Sequence, residues 1–473
     1  MISRQEIMDF SREFGLSPNI VEKDYLLGWI LAGISNHGVL GSDWVFKGGT
    51  CLKKCYFETY RFSEDLDFTI KNADHCNQEF LKNAFGEVAD WVYPEAGIEI
   101  PKELIHFEIY TNPRGKISAQ GRISYRGPLQ PRGDLPRIKL DLTNDEILVL
   151  NPVNREVNHP YSDRPEEGFN ILSYCFEELF AEKIRALGER LRPRDLYDVI
   201  HLYRHEGIRP DRALVMRTLE EKCGFKDISV PTMAILEKKP ERIEMEAEWE
   251  NMLGHQLPVL VPFEEFWKEL PKVFEWLHRS IEKVFPAPMP LMGIAIDETW
   301  RAPAMPRAWH STAPLEVIRF AAANRLCVDL TYGGTHRLIE PYSLRQTRDG
   351  NLLLYAVKHN TGEDRSYRTD RIQGAQVTKT PFIPRYAVEL TVSGSISAPL
   401  TSRGTISKPI RSMFTKTPHK RRILSVGIKY VFECPICGKR FTHKSFDSSL
   451  NKHKDKQGYP CFGTIGIYVT TKY

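Results

Sequence analysis

The stretch Asp65-Leu66-Asp67-Phe68 carries the residues best suited to chemistry. In an extended strand successive side chains take opposite faces, so both aspartates fall on one face and Leu66 and Phe68 on the other. Paired carboxylates there would hold a hard divalent cation such as Mg2+, which takes oxygen ligands. Such a pair also fits a solvated strand edge. What favours the metal is the upstream Lys47-Gly48-Gly49-Thr50, where two residues without side chains let backbone amides approach phosphate oxygens. A third acid comes from Arg137-Ile138-Lys139-Leu140-Asp141-Leu142-Thr143, where alternation sets Ile138, Leu140 and Leu142 against a core and Lys139 and Asp141 opposite. Read alone, this is a polar strand facing water. Read with Asp65 and Asp67, it completes the acid set that two-metal phosphoryl or nucleotidyl transfer uses. Asp145 and Glu146 stand as alternatives to Asp141.

Positioning these groups takes helices as well as strands. Two helices open the chain, the second with Ser17 as N-cap and Pro18 in its first turn, and with Ile20, Leu27 and Ile30 expected against a core. Val45-Phe46 reads as a strand leading into the glycine turn, and a helix is expected to begin near Cys51. The next strand covers Leu66 to Ile70. Two further helical segments follow, Glu177 to Leu187 and Arg192 to Asp198. In the second, Arg194 and Asp198 are four apart and Asp195 and Asp198 three apart, so these groups can share a face.

The chain has 473 residues, enough for about three domains. Its 41% hydrophobic and 27% charged composition disfavours disorder, collagen-like repeats and a membrane-embedded bundle. The longest apolar stretch, Tyr25 to Ile34, is far short of the roughly 18 residues that cross a bilayer, and Met1 to Gly15 builds no signal core. A cytoplasmic protein without a membrane partner is expected. Six prolines between 286 and 314 mark a stiff linker over 286–313, separating a mixed α/β segment, 1–285, from a mostly β segment, 314–400. A basic linker over 401–425 precedes a last module, 426–473. Residues 401–473 hold 15 Lys plus Arg against 3 Asp plus Glu, whereas the preceding 400 hold 50 against 58, so any polyanion contact read from charge alone falls at the C-terminal end.

The cysteines divide in the same way. Cys51, Cys55, Cys76, Cys175, Cys223 and Cys327 are scattered, as suits reduced thiols in packed regions. Cys434-Pro435-Ile436-Cys437-Gly438 instead forms a knuckle, followed by His453 and Cys461. Two closely spaced cysteines with a later His and Cys fit tetrahedral Zn2+, which in so short a module replaces a hydrophobic core. His443 is the alternative to His453, and the spacing is not that of a base-reading finger.

Four ordered strings now come together: Lys47-Gly48-Gly49-Thr50, Arg61-Phe62-Ser63-Glu64-Asp65-Leu66-Asp67-Phe68, Glu177 to Leu187, and Arg192-Pro193-Arg194-Asp195-Leu196-Tyr197-Asp198. With Val21-Glu22-Lys23-Asp24-Tyr25 near the start, residues 1–285 resemble the AbiEii nucleotidyltransferase toxins of the DNA polymerase β-like superfamily. The resemblance implies an Mg2+-dependent enzyme of a type IV toxin–antitoxin or phage-defence system. Such an enzyme transfers NMP from an NTP to an RNA acceptor, in some relatives the tRNA 3′ end, and a separately encoded antitoxin restrains it. It implies Asp65, Asp67, Asp141, Lys183 and Asp198 as catalytic residues, with the three strand aspartates holding Mg2+. Lys47, Gly48, Gly49, Thr50, Ser63, Arg194 and Asp195 would bind the nucleotide. Strand-like runs between 326 and 372 resemble a WYL domain, a small Sm-like β-barrel, although Leu352-Leu353-Leu354-Tyr355 replaces the name-giving Trp-Tyr-Leu. Arg337, Arg365, Arg368 and Arg371 could form an anion site there, since guanidinium forks suit phosphate oxygens, or could simply face solvent. The expectation is therefore a multidomain chain: an α/β nucleotidyltransferase domain, a β-barrel and a zinc module. The competing reading is a nucleic-acid- or nucleotide-binding regulator with an inert transferase domain.

Overall fold

The computed structural model describes residues 1–57, 60–112, 114–130, 133–165, 167–205, 210–278, 294–297, 314–391, 429–443, 448–451, 453–454, 460–461 and 464–472. The Pro-rich linker expected over 286–313 lies outside them except for 294–297, and the basic linker over 401–425 lies outside them entirely. The chain forms two compact units, Met1–Ser402 and Arg403–Tyr473.

In the first unit, alternating apolar residues build a seven-stranded mixed sheet. Its strands are β1 (Trp44–Lys47), β2 (Asp65–Ile70), β3 (Ile105–Thr111), β4 (Ile117–Ser124), β5 (Arg137–Thr143), β6 (Val153–Glu156) and β7 (Asn170–Ser173), in the order β3-β4-β5-β2-β1-β7-β6. β2 runs parallel to β5 and β1 parallel to β7, and the remaining pairs are antiparallel. Leu66 and Phe68 on β2, and Ile138, Leu140 and Leu142 on β5, are buried as alternation requires, so their polar neighbours all emerge on the opposite face. Over that face lie the helices Phe176–Arg190 and Pro193–Arg204, separated by Leu191 in the left-handed conformation and Arg192, with Pro193 opening the second.

A second sheet in the same unit is wholly antiparallel, in the order β11-β10-β9-β8-β12: β8 (Leu326–Tyr332), β9 (Thr335–Gln346), β10 (Leu352–Lys358), β11 (Asp364–Arg368) and β12 (Ile372–Pro381). A helix, Leu315–Asn324, precedes it, where only strands were expected, and most of its residues are buried. The described residues of the segments 1–285 and 314–400 share one hydrophobic core, and the Tyr197 hydroxyl donates to Asn324 Oδ1 at 3.0 Å between them.

The second unit contains β13 (Lys429–Glu433), β14 (Arg440–His443) and β17 (Ile467–Lys472) in one sheet, and the short pair β15 (His453–Lys454) and β16 (Pro460–Cys461). Two local expectations need correction. The helix after β1 begins at Gly48 rather than near Cys51, because Gly48 at φ 79° turns the chain directly into the helix Gly48–Cys51. Ile20 is only half-buried, whereas Leu27 and Ile30 are in the core. Among the described residues no helix is long and apolar enough to cross a membrane.

Candidate active site

Register decides which side chains meet. Asp67 on β2 pairs with Asp141 on parallel β5 and, on its other side, with Lys47 on antiparallel β1. Gln120 on β4 and Glu108 on β3 continue the row. Asp65, two residues before Asp67, belongs to the adjacent row with Lys139, Arg122 and His106. The three aspartates thus occupy one face over two rows and two neighbouring strands, which are about 4.8 Å apart.

Loss of water, with crowding of like charges, raises the pKa values of Asp65 and Asp67. Burial pushes Asp67 up to about 6 against the pull of Lys47, with Asp141 adding to the rise. Asp65 is raised by burial and by Asp141, and Lys139 opposes. Gln120 donates to Asp141 Oδ1 at 3.1 Å. An oxygen-only set of three carboxylates, with the ionisation of Asp65 and Asp67 opposed in this way, suits a hard divalent cation, so the residues present fit Mg2+.

The glycines beside this row are there for space. A β-carbon on Gly48 would lie 2.1 Å from Asp67 Oδ2, and one on Gly49 would lie 2.5 Å from Arg61 Nη2 and 3.1 Å from Ser63 Oγ. Thr50 is buried, and its hydroxyl donates to the Asp65 carbonyl, fixing the start of β2. Lys47 pairs with Glu182 Oε1 at 3.3 Å. Burial would lower the Lys47 pKa, yet Glu182, Glu146 and Asp67 together raise it. Glu182 also lies 3.4 Å from Lys222, a fully buried ammonium held by Glu178 at 2.7 Å.

Asp198 and Asp195 lie deeper than the strand acids, with no exposed side-chain surface. Asp198 receives Arg61 through Nε at 2.7 Å and Nη2 at 2.9 Å, Lys183 Nζ at 2.8 Å, and the Tyr60 hydroxyl. Burial opposes its charge, but Arg61 and Lys183 overcome this and hold the carboxyl far below its usual range. Asp195 takes a bidentate contact from Arg190 at 2.7 and 2.9 Å, and Lys183 lies 4.0 Å away. Arg194 turns the other way. With Lys23, Glu64, Asp65, Arg122, Arg137 and Lys139 it lines a cleft of about 270 Å³. Five cations against two acids make this a place for phosphate.

Sequence reasoning brought together the acids but missed their supports. Arg61 stood in a quoted motif without a role, because its partner is 137 residues away. Glu182 likewise stood without a role inside the Glu177 to Leu187 string, and Tyr60, Lys222 and Gln120 lay outside every quoted string. In the second sheet the four arginines are dispersed. Arg368 binds Asp370 at 3.0 and 2.7 Å, Arg365 pairs with Glu363, Arg337 donates to the Tyr332 and Thr335 carbonyls, and Arg371 is exposed in a turn. Of the four, only Arg365 lines the small pocket of that sheet.

In the second unit, ligand atoms of Cys434, Cys437, His453 and Cys461 all lie within 4.8 Å of one another. The Cys434 and Cys461 sulfurs are 3.7 Å apart, close to the roughly 3.8 Å that two thiolates span on a tetrahedral zinc with Zn–S near 2.3 Å. His453 Nε2 is 3.2 Å from Cys437 Sγ, and its Nδ1 meets the Asn451 carbonyl at 2.9 Å, the orienting bond a ligating imidazole uses. Burial opposes ionisation of Cys434, but the amides of Cys437 and Ile436 and the His453 ring pull the thiol down to about 6. His443 packs edge-on against Phe432 instead and is outside the cluster. These four residues fit Zn2+.

Comparison with known proteins bears on the whole arrangement. The family described as "Nucleotidyl transferase AbiEii toxin, Type IV TA system" matches residues 29–276, and the WYL domain matches residues 314–377. No curated protein matches the chain. Similar solved structures include MenT4, a nucleotidyltransferase toxin from Mycobacterium tuberculosis H37Rv, at 18% identity and TM-score 0.41 over 60% of this chain and 91% of that one. JHP933 from Helicobacter pylori is 19% identical at TM-score 0.38, over 57% of this chain and 95% of its own.

Proposed function

From the premise that this chain belongs to the AbiEii nucleotidyl transferase toxin family of type IV toxin–antitoxin systems, and is a nucleotidyltransferase, we propose that it transfers NMP from an NTP to a hydroxyl of an RNA, using Mg2+. The observation that carries this reading is the registered row Lys47–Asp67–Asp141, with Asp65 beside it and Gly48 packed directly against the Asp67 carboxylate.

Asp65, Asp67 and Asp141 would hold the metal, which when bound supplies charge neutralisation for the triphosphate and acidifies the attacking hydroxyl. The amides of Gly48 and Gly49 face the phosphates, with Ser63, Lys47 and Arg194 flanking them. The acceptor oxygen attacks the α-phosphorus, the bond to the β-phosphate oxygen breaks, pyrophosphate leaves, and the hydroxyl proton passes to Asp141. Lys183 contributes positive charge to the phosphate end. Asp198, sealed from solvent, keeps Lys183 and Arg61 in place, and Asp195 assists through Arg190. Structural Zn2+ belongs to the last module, and a separately encoded antitoxin is the expected restraining partner.

Incubating the full-length protein with each α-labelled NTP, MgCl2 and total cellular RNA tests the reading. Labelled RNA is expected from the wild type and none from Asp67→Ala of unchanged melting temperature. Equal labelling by Asp67→Ala, or label on protein alone, overturns it.

A further inference from the structure

The polar face of the sheet does not end at the acids. From Asp67 toward β1 and β7 it is covered: Thr69, on the same face, meets Tyr174 at 2.6 Å, and the helix Phe176–Arg190 supplies Glu182 to Lys47. In the other direction, over β5, β4 and β3, the side chains on this face include Arg137, Lys139, Gln120, Arg122, His106, Glu108 and Tyr110. Of these, all except the half-buried Gln120 are exposed. On the opposite faces of these strands Phe107, Ile123 and Leu140 are in the core and back the Arg122–Lys139 end of the shelf, whereas Ile109 and Ile117, flanking the Tyr110–Ser118 pair, are exposed.

Its chemistry is specific. Arg122 and Arg137 line the basic cleft beside Asp65. Arg137 has no ion-pair partner among the described residues, and Arg122 has a loose contact with Glu108 at 3.9 Å and donates to Gln120 Oε1 at 3.3 Å. Further along, Tyr110 is 45% exposed and pairs with Ser118, two residues from the Gln120–Asp141 pair. From strand spacing and rise, its Cα lies about 12 Å from that of Asp141. Tyr110 stands on one side of the Asp141 row and Arg122 and Arg137 on the other, about 14 and 22 Å from Tyr110 by strand spacing and rise, so the set spans a few nucleotides. Guanidinium groups and an exposed aromatic ring on one open sheet face are elements with which proteins hold single-stranded nucleic acid: charge follows the phosphates and the ring takes a base. A duplex offers such a ring only the outer face of its terminal base pair, whereas a single strand can lay any of its bases on it.

We propose that this β3–β4–β5 shelf is the acceptor platform, on which a single-stranded RNA end is held with its phosphates at Arg122 and Arg137 and a base on Tyr110, so that its terminal hydroxyl reaches Asp141. The proposal rests on the transferase reading for its purpose, but its test does not require catalysis.

The affinity of the full-length protein for a fluorescein-labelled 12-nucleotide RNA is measured by anisotropy without NTP across a KCl series. Tyr110→Ala is expected to weaken binding about tenfold, and Tyr110→Trp to retain it. Arg122→Ala combined with Arg137→Ala should weaken binding similarly and reduce the slope of log affinity against log salt by about 1.4, two contacts' worth. The same RNA annealed into a blunt duplex should bind at least tenfold more weakly. Wild-type affinity in both Tyr110→Ala and the double arginine variant, each checked for unchanged melting, overturns the proposal, as does duplex binding equal to single-strand binding. A fluorescent ATP analogue with MgCl2, titrated in parallel, reports the nucleotide site separately. Normal nucleotide binding with an inert shelf refutes the platform alone, whereas shelf-dependent RNA binding without any NTP-dependent labelling refutes the transferase chemistry alone.

Discussion

Replacing Asp198 with Asn is the sharpest test of how this site is held together. The carboxylate has no exposed surface and takes two nitrogens of Arg61, the ammonium of Lys183 and the Tyr60 hydroxyl. Arg61 is itself 2% exposed, so water cannot replace its partner. Removing one member of a buried ion pair typically costs about 3–5 kcal/mol, because the remaining charge is left uncompensated. The amide also presents an N–H toward a guanidinium that can only donate. With a urea m-value of about 3 kcal/mol/M or more for a unit this large, the midpoint should fall by about 1 M. Tryptophan fluorescence during urea titration measures it. Arg61→Lys, which keeps the charge but loses the fork, should cost less, about 1.5–3 kcal/mol. An Asp198→Asn protein that unfolds at the wild-type urea concentration would refute the reasoning, since Asp198 would then not be the buried counter-charge that fixes Arg61 and Lys183. If it is as stable as wild type but inactive, its role lies in the chemistry instead.

Three further outcomes are expected. Gly48→Ala places a methyl 2.1 Å from Asp67 Oδ2 in a backbone at φ 79°, so Asp67 must move by an ångström or more and transfer should drop about 100-fold, read as initial rates of RNA labelling. Purified protein should contain one zinc per chain by elemental analysis, and Cys434→Ser or a strong chelator should remove it and expose residues 429–472 to limited proteolysis. Burial, then His205 and Arg204, lower the His201 pKa to about 3. The unfolded chain therefore takes up a proton near pH 6.5 that the folded chain refuses. This contribution is complete above pH 6.5 and declines by about 1.4 kcal/mol per pH unit as pH falls toward 3. Urea midpoints at pH 7.5 and 5.0 should converge in His201→Phe relative to wild type.

Much of this protein was determined by local sequence. Two-residue alternation set Asp65 and Asp67 together and Asp141 on the polar side of its strand, because a strand's period is a property of the backbone alone. The Cys434–Cys437 knuckle and its later His and Cys were legible for a similar reason: a tight metal loop is built from neighbours in sequence. What local pattern could not decide was register and partnership. That β2 runs parallel to β5 with Asp67 opposite Asp141, that Arg61 rather than Lys183 alone holds Asp198, and that His453 rather than His443 joins the cysteines are outcomes of long-range pairing. The basic shelf on β3, β4 and β5 likewise exists only once three strands separated in sequence lie side by side. Alternation chooses the face of each side chain, but only tertiary packing chooses the neighbour, and the chemistry of this site depends on both.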